Sequence, residues 1–343
     1  ALNVGTYNFF NGGDLTVNTT LTFTSVPTDA LWTYTAKAGL IEAYAMDVAV
    51  YSGLSKGVSD QETQPNGLAF SSDGTKMYIC GPISDTVSQY TLSTAWNVST
   101  ATYSGLSKNV NSELTVPRGV TFKSDGTKMY VTGMNTYRTY QYTLSTAWNV
   151  STATYDSVSA YWGPQDSNIY DMAFQTDGSK MFVIGGANSI IFQYTLGTSW
   201  AINTASYSGI SVAGPSGPTG IAFSSDGTKM FITGTSAALV YQYTLGTAWN
   251  VSTATLALTF SVGLEEGAPH AVAFSSDGTK MYITGTSADT VFQYSSSIPT
   301  SITVPAAVPN PPNFPFVTYD QVSYTFVTNN GGTTVKLIGE EIT

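Results

Sequence analysis

Apolar and polar residues alternate along most of this chain in short runs bounded by Gly, Asp, Ser and Thr. "GLAF" and "KMYICG" flank "SSDGT", "TVSQYTL" follows "PISD", and "WNVSTATYSG" follows "STA". Each run has the period and length of a half-buried strand. The group then returns, with its phenylalanine at Phe70, Phe122, Phe174, Phe223 and Phe274, at intervals of 52, 52, 49 and 51 residues. Four short strands repeated with a period near fifty predict an all-β propeller or solenoid.

The polar turns explain why the phrase is copied. Asp73-Gly74, Asp125-Gly126, Asp177-Gly178, Asp226-Gly227 and Asp277-Gly278 suit a tight hairpin, because Gly accepts positive φ and Asp bonds back to the backbone. A calcium reading of these aspartates fails on number, since each turn offers one carboxylate where Ca²⁺ takes six to eight oxygens. Three strands occur five times, but no "WNVSTATY" follows Tyr294. "YAMDVAVYSGLSKGV" from Tyr44 aligns without gaps on "WNVSTATYSGLSKNV" from Trp96. The expectation is a five-bladed β-propeller over residues 44–295 whose N-terminal strand completes the last blade, so that no seam is left open. The repeated Tyr90, Tyr142, Tyr194 and Tyr243, each six residues before Trp96, Trp148, Trp200 or Trp249, are expected to pack between sheets, with a sugar-stacking ladder as the alternative.

Residues 1–43 and 296–343 lack the motif but read as strands, with a hairpin turn at Asn330-Gly331 and a connector at "VPNPPNFPFV". Neither flank is large enough for a core of its own. The expectation is one β-sandwich or jelly-roll formed by both termini, with the propeller inserted between its halves.

Composition narrows the function. Charged residues make up 10% of the 343, and the formal net charge of −10 argues against nucleic acid, which needs clustered Lys and Arg. Cys80 is the only cysteine, so no intrachain disulfide and no Cys/His zinc set is expected. No apolar run approaches a membrane span, and the start lacks the regions of a signal peptide, so the chain reads as soluble. Ala1 without a preceding Met fits either a removed initiator or excision from a longer chain.

"AFSSDGTKMYITG" resembles the YVTN family of β-propeller repeats, in which F-S-x-D-G-x-K-x-[LY]-Y-V joins the inner two strands of a blade. That resemblance implies the fold; the longer segment "QYTLSTAWNVSTATY" departs from the family. The flanks, "LTFTSVPTDALWTYTA" with "ITVP" and "VSYTFVTNNGGTTVKLI", resemble small β-domains of tailed-phage fibre and capsid decoration proteins, with Val304 in place of a Trp and Asn329-Asn330 in place of Thr-Asp.

The turns on one face of the ring, "SSDGT" and "STAW", are nearly identical from blade to blade, whereas those on the other, top face differ. Four residues before each motif Phe, at the mouth of the channel, stand Asn66, Arg118, Tyr170, Thr219 and His270. Together with the aromatic pair Tyr161 and Trp162, and with Tyr137 and Arg138, they form the candidate recognition set, because loops on rigid scaffolds carry binding. The competing readings are free surface for the variable positions and an inter-blade plug for Trp162. His270 is the only histidine, so a His-based triad lacks a second candidate and a multi-histidine metal centre is excluded. Asp171 alone replaces the Gly or Ala of its repeat position, and Glu113, Glu265 and Glu266 lie in top connections without a spacing that fixes an acid and base pair. The resulting expectation is a non-enzymatic phage virion surface protein, a fibre or capsid decoration. Its terminal β-domain binds other virion proteins and its propeller faces a host glycan or receptor. No cofactor, metal, nucleic acid or membrane insertion is expected, and homo-oligomerisation is left open. The alternatives are a secreted or cell-surface lectin or adhesin and, ranked last, a propeller hydrolase.

Overall fold

A computed structural model describes residues 43–296 except 48, together with the backbone of six strands outside that range. Contacts divide the chain into Glu42–Ser296 and a second unit of Ala1–Ile41 with Ser297–Thr343. In the second unit Thr20–Thr22, Thr334–Glu341, Val322–Asn329 and Val317–Tyr319 form one sheet, and Trp32–Thr35 pairs with Ser301–Val304 in another. Both sheets therefore draw on both termini. The packing of a β-sandwich and the Asn330-Gly331 turn lie outside the described residues.

The first unit is a five-bladed β-propeller of four-stranded antiparallel sheets. Blade 1 comprises Gly67–Phe70, Lys76–Gly81, Thr86–Leu92 and Ala101–Asn109; blade 2 runs from Pro117–Phe122 to Ala153–Tyr161. Blade 3 runs from Ile169–Phe174 to Ala205–Ala213, and blade 4 from Pro218–Phe223 to Ala254–Ser261. Blade 5 takes Pro269–Phe274, Lys280–Gly285 and Thr290–Ser296 from the end of the unit and Ala49–Gly57 from its start. The closing pair is in register from Thr290↔Gly57 to Ser296↔Ala49. It carries the same bulge, between Gln293 and Tyr294, that blade 1 has between Gln89 and Tyr90. Among the described residues no helix is long and apolar enough to cross a membrane.

Neighbouring blades are joined by five aromatic triads. The motif Phe and the Trp of one blade receive the second-strand aromatic of the blade before it. Phe122 lies 4.3 Å from Tyr78 and 5.4 Å from Trp148, and Phe174 lies 4.7 Å from Tyr130 and 5.0 Å from Trp200. Phe182–Phe223–Trp249, Phe231–Phe274–Tyr44 and Tyr282–Phe70–Trp96 complete the ring, so Tyr44 does the work of the fifth Trp. The tyrosine hydroxyls of Tyr78, Tyr130 and Tyr282 donate to the carbonyls of Trp148, Trp200 and Trp96 at 2.6–2.8 Å. Where Phe182 and Phe231 lack that hydroxyl, Lys180 Nζ and Lys229 Nζ donate instead to the carbonyls of Trp249 and Tyr44.

This contact fixes the copied turn. Gly74, Gly126, Gly178, Gly227 and Gly278 all have φ near 70°, and a Cβ on any of them would fall inside the Trp or Tyr44 ring of its own blade. The turn aspartates do local work as expected: Asp73 Oδ1 accepts from Thr75 N, Thr75 Oγ1 and Ser71 Oγ. A second inter-blade tie runs from Gln89, Gln141, Gln193 and Gln293, whose Oε1 atoms accept from the N–H of Val150, Ile202, Val251 and Val98 at 3.1–3.5 Å. The fifth, Gln242, has its Oε1 buried without a partner at the one junction where the chain is interrupted.

Because Trp148 anchors both its own turn and the neighbouring blade, Trp148→Ala is expected to cost about 3–5 kcal/mol in urea denaturation. Tyr130→Phe, which leaves the ring and removes only its hydrogen bond, should cost about 1 kcal/mol. Equal effects of the two would place the energy in the hydrogen bond rather than in ring packing.

Candidate active site

The innermost strands touch in cyclic order, blade 1 to blade 5 and back to blade 1, and so line the axis. Three residues before each motif Phe they carry Gly67, Gly119, Asp171, Gly220 and Ala271. Small residues are required there by close approach. A Cβ on Gly67 would lie 2.6 Å from Cys80 Sγ and 2.9 Å from the Arg118 carbonyl, and one on Gly220 would lie 2.5 Å from the His270 carbonyl.

Asp171 breaks the rule. Its Oδ2 accepts from Ile221 N of the next blade at 3.0 Å, and its Oδ1 occupies the space that a side chain on Gly119 of the preceding blade would need. One carboxylate thus bridges three inner strands, and the bulges in their pairing at Pro117/Gly119, Ile169/Asp171 and Pro218/Ile221 leave backbone groups free to meet it. Burial pushes its pKa up to about 7, against the lowering effect of the Ile221 and Met172 N–H groups. The residue as a whole is part-buried.

Each of the five individualised residues directly precedes one of these inner positions. Arg118 lies with its guanidinium 5.2 Å from the centre of the Tyr170 ring, and its Nε is buried without a hydrogen-bond partner. Asn66 is 4% exposed, and neither its Oδ1 nor its Nδ2 has a partner. Burial, reinforced by the Arg118 charge, lowers His270 to about 4, so the imidazole is neutral at pH 7. Thr219 is fully engaged: its Oγ1 donates to the Pro269 carbonyl at 2.9 Å and meets Thr233 Oγ1 at 3.1 Å, tying blade 4 to blade 5. Cys80 is buried, and burial raises its thiol pKa above the ordinary range.

The remaining candidates lie away from this mouth. Tyr161 is 51% exposed under the Arg138 guanidinium, which is 5.0 Å from the ring centre and donates to Ser159 Oγ. Tyr137 is part-buried against the blade 3 core. Trp162 is 2% exposed, packs 4.6 Å from Tyr194 and donates through Nε1 to Thr139 Oγ1. It stands twelve residues before its motif Phe, in register with the buried Val58, Val110 and Val262.

The top-face acids that sequence spacing left unassigned also have structural partners. Nine residues before the motif Phe, Gln61, Glu113, Gln165 and Glu265 accept the hydroxyls of Tyr90, Tyr142, Tyr194 and Tyr294 at 2.8–3.1 Å. One position later the buried Glu62, Asp166 and Glu266 accept backbone N–H groups from the adjacent top turn, as Glu62 does from Ser84 N at 3.0 Å. Among the described residues no three His, Cys, Asp or Glu side chains converge as a metal site would require.

No family model and no curated protein matches the chain. Solved structures similar to the chain include proteins from Bacteroides uniformis and Bacteroides fragilis named provisionally as 6-phosphogluconolactonases. Each is 12% identical with a TM-score of 0.43, covering 81% of this chain and 85% or 84% of theirs. A periplasmic gluconolactonase of Pseudomonas aeruginosa is likewise 12% identical, with a TM-score of 0.43 over 81% of this chain and 85% of that one. Against the expectation of a non-enzymatic virion surface protein, the functions named among these structures are those of gluconolactonases, in the class ranked last on sequence. Sequence spacing fixes no acid and base pair, and the structure brings one carboxylate, Asp171, to the inner ring, where burial raises its pKa.

The raised pKa has a stability signature. The folded protein keeps a proton on Asp171 that the unfolded chain, with its ordinary value of 3.8, releases. Stability is therefore lost as pH rises from about 4 to about 7, and the loss is complete above that. Asp171→Asn, which keeps an acceptor for Ile221 N, should raise stability at pH 8 by about 1–3 kcal/mol and leave it nearly unchanged at pH 4. Thermal melts of the two proteins across this range check it; a mutant less stable at both pH values would contradict the assignment.

Proposed function

We propose that the protein is a propeller hydrolase that opens a small, oxygen-rich ester or lactone at the mouth of its axial channel. The observation that carries this reading is Asp171, a carboxylate at the only position of the inner ring where a small residue is expected and a titratable one stands. A general base works best with a pKa near the operating pH, and Asp171 sits at about 7. As carboxylate it takes a proton from water while the water oxygen bonds to the acyl carbon. The acyl C–O bond then breaks, the same proton passes to the departing oxygen, and a hydroxy acid is released.

The neighbouring groups favour this chemistry over the alternatives. Glu113 and Glu265 are occupied with tyrosine hydroxyls and Glu266 with backbone N–H groups, which leaves Asp171 without the second carboxylate that glycoside hydrolysis uses. His270 is the one histidine, and no serine hydroxyl is hydrogen-bonded to it among the described residues, so direct attack by water fits better than an acyl-enzyme. Arg118 and Asn66 offer unused hydrogen-bonding groups to a bound substrate.

A panel of sugar lactones and simple esters, headed by lactones because the named structural neighbours act on them, tests the reading. Turnover of at least one panel member is expected, with kcat/KM falling about 10²–10⁴-fold in Asp171→Asn while the fold is retained. Turnover that survives this substitution would remove Asp171 from the reaction.

A further inference from the structure

We infer that the channel mouth carries an oxyanion subsite built from Arg118, Asn66 and Tyr170, so that the molecule it takes is an acid bearing a carboxylate or a phosphate. The subsite exists independently of hydrolysis; that its occupant is the substrate rests on the hydrolase reading above.

Among the described residues the charge on Arg118 has no counterion. Among the described residues the ion pairs are Lys123 with Asp125 and Lys128 with Asp156, and no nitrogen of Arg118 comes within 4.0 Å of a carboxylate oxygen. This is unexpected in a chain with 22 acidic and 12 basic residues. The one carboxylate of the described inner ring, Asp171, is turned to Ile221 N and to the space over Gly119. A part-buried guanidinium loses hydration, and beyond the Tyr170 ring no described carboxylate compensates it, which favours an anion from outside.

The surroundings define where that anion goes. Tyr170 covers one face of the guanidinium, which leaves the planar N–H donors directed sideways, the geometry that takes carboxylate or phosphate oxygens in pairs. Asn66 stands on the adjoining inner edge, in blade 1 beside Arg118 of blade 2, with a buried Nδ2 that donates to nothing. A buried amide with both ends unsatisfied is costly to keep unless a ligand or water meets it. Across the mouth His270 is neutral and adds no competing charge. Arg118 thus brings a positive charge, with an aromatic ring against it, to the strand next to the one that Asn66 precedes.

Calorimetric titration of the whole protein with orthophosphate in one arm and D-gluconate in the other, at pH 7.5 and low chloride, tests the subsite. At least one anion is expected to bind, with affinity falling about tenfold or more in Arg118→Gln and retained in Asp171→Asn. The arm that binds more tightly separates phosphate from carboxylate. Asn66→Asp provides the second variant: a carboxylate placed beside Arg118 should pair with it, abolish anion binding and raise the melting temperature. Binding of neither anion, or binding unchanged in both Arg118→Gln and Asn66→Asp with the fold intact, overturns the subsite. On hydrolysed substrates Arg118→Gln should raise KM for an acidic lactone about tenfold, with kcat little changed and a neutral lactone unaffected; equal losses for both lactones overturn it. Anion binding without turnover on any substrate upholds the subsite and overturns the hydrolase reading.

Discussion

Everything in the propeller depends on one contact, the wedge of motif Phe and Trp from one blade against an aromatic of the blade before. The Trp can occupy that position only because the turn beneath it is Gly with φ near 70°, and because its own backbone is left-handed, with φ of 63° at Trp96 and 64° at Trp148. Two strained residues therefore support each other at every junction. Left-handed backbone at a bulky residue costs of order 1–3 kcal/mol and persists only where packing over-determines it. The burial of three large rings per junction supplies that packing. A substitution in "SSDGT" or at the Trp fails locally and at the interface together, and this is why these turns are copied so closely.

The opposite face obeys a looser rule, held by side chains rather than rings. Acids and amides eight and nine residues before the motif Phe hold the top turns and the tyrosine hydroxyls of blades 1, 3 and 5. Blade 2 keeps only the tyrosine tie, through Glu113, and has Leu114 buried where the others have an acid. Blade 4, with the shortest repeat interval, places Gly214 and Pro215 at these positions and closes its turn through Gly217 and Thr235. A top turn can thus be rebuilt blade by blade without disturbing the triads. Variation there reflects permission from the scaffold, and on its own it does not mark a ligand site.

That distinction sets what the sequence made legible. The repeat, the turns, the strand order and the N-terminal closure all follow from local periodicity, which survives translation into structure because strand pairing reads it directly. Trp162 was misleading because its residue type hid its register: counted from Phe174 it falls in line with Val58, Val110 and Val262, a signal present in the spacing. Glu113 and Glu265 stay unassigned on sequence for the opposite reason, since their tyrosine partners lie 29 residues away and only folding joins them. Asp171 was visible as the exception to a Gly or Ala position. Its proton affinity was not, because that arises from inner strands contributed by three blades.

The axis is where symmetry is most demanding and where this chain breaks it. At Gly67 and Gly220 the neighbouring strand leaves no room for a side chain, so a propeller optimised only for stability would keep a small residue at 171 as well. Asp171 instead carries a charge into that space at a cost that grows with pH, and it is accommodated only because Gly119 yields room on one side and Ile221 a donor on the other. Two further groups next to the inner positions, Arg118 Nε and the Asn66 amide, are buried without partners, and single atoms of Asp85, Thr136, Asn168, Gln175 and Gln242 share that state among the described residues. Buried polar groups in folded proteins are almost always satisfied, so each such group asks for a water, an ion or a ligand. Asn66 stands apart because both ends of its amide are unmet, and with Arg118 and Asp171 it sets the departures from the repeat at the inner strands of three successive blades.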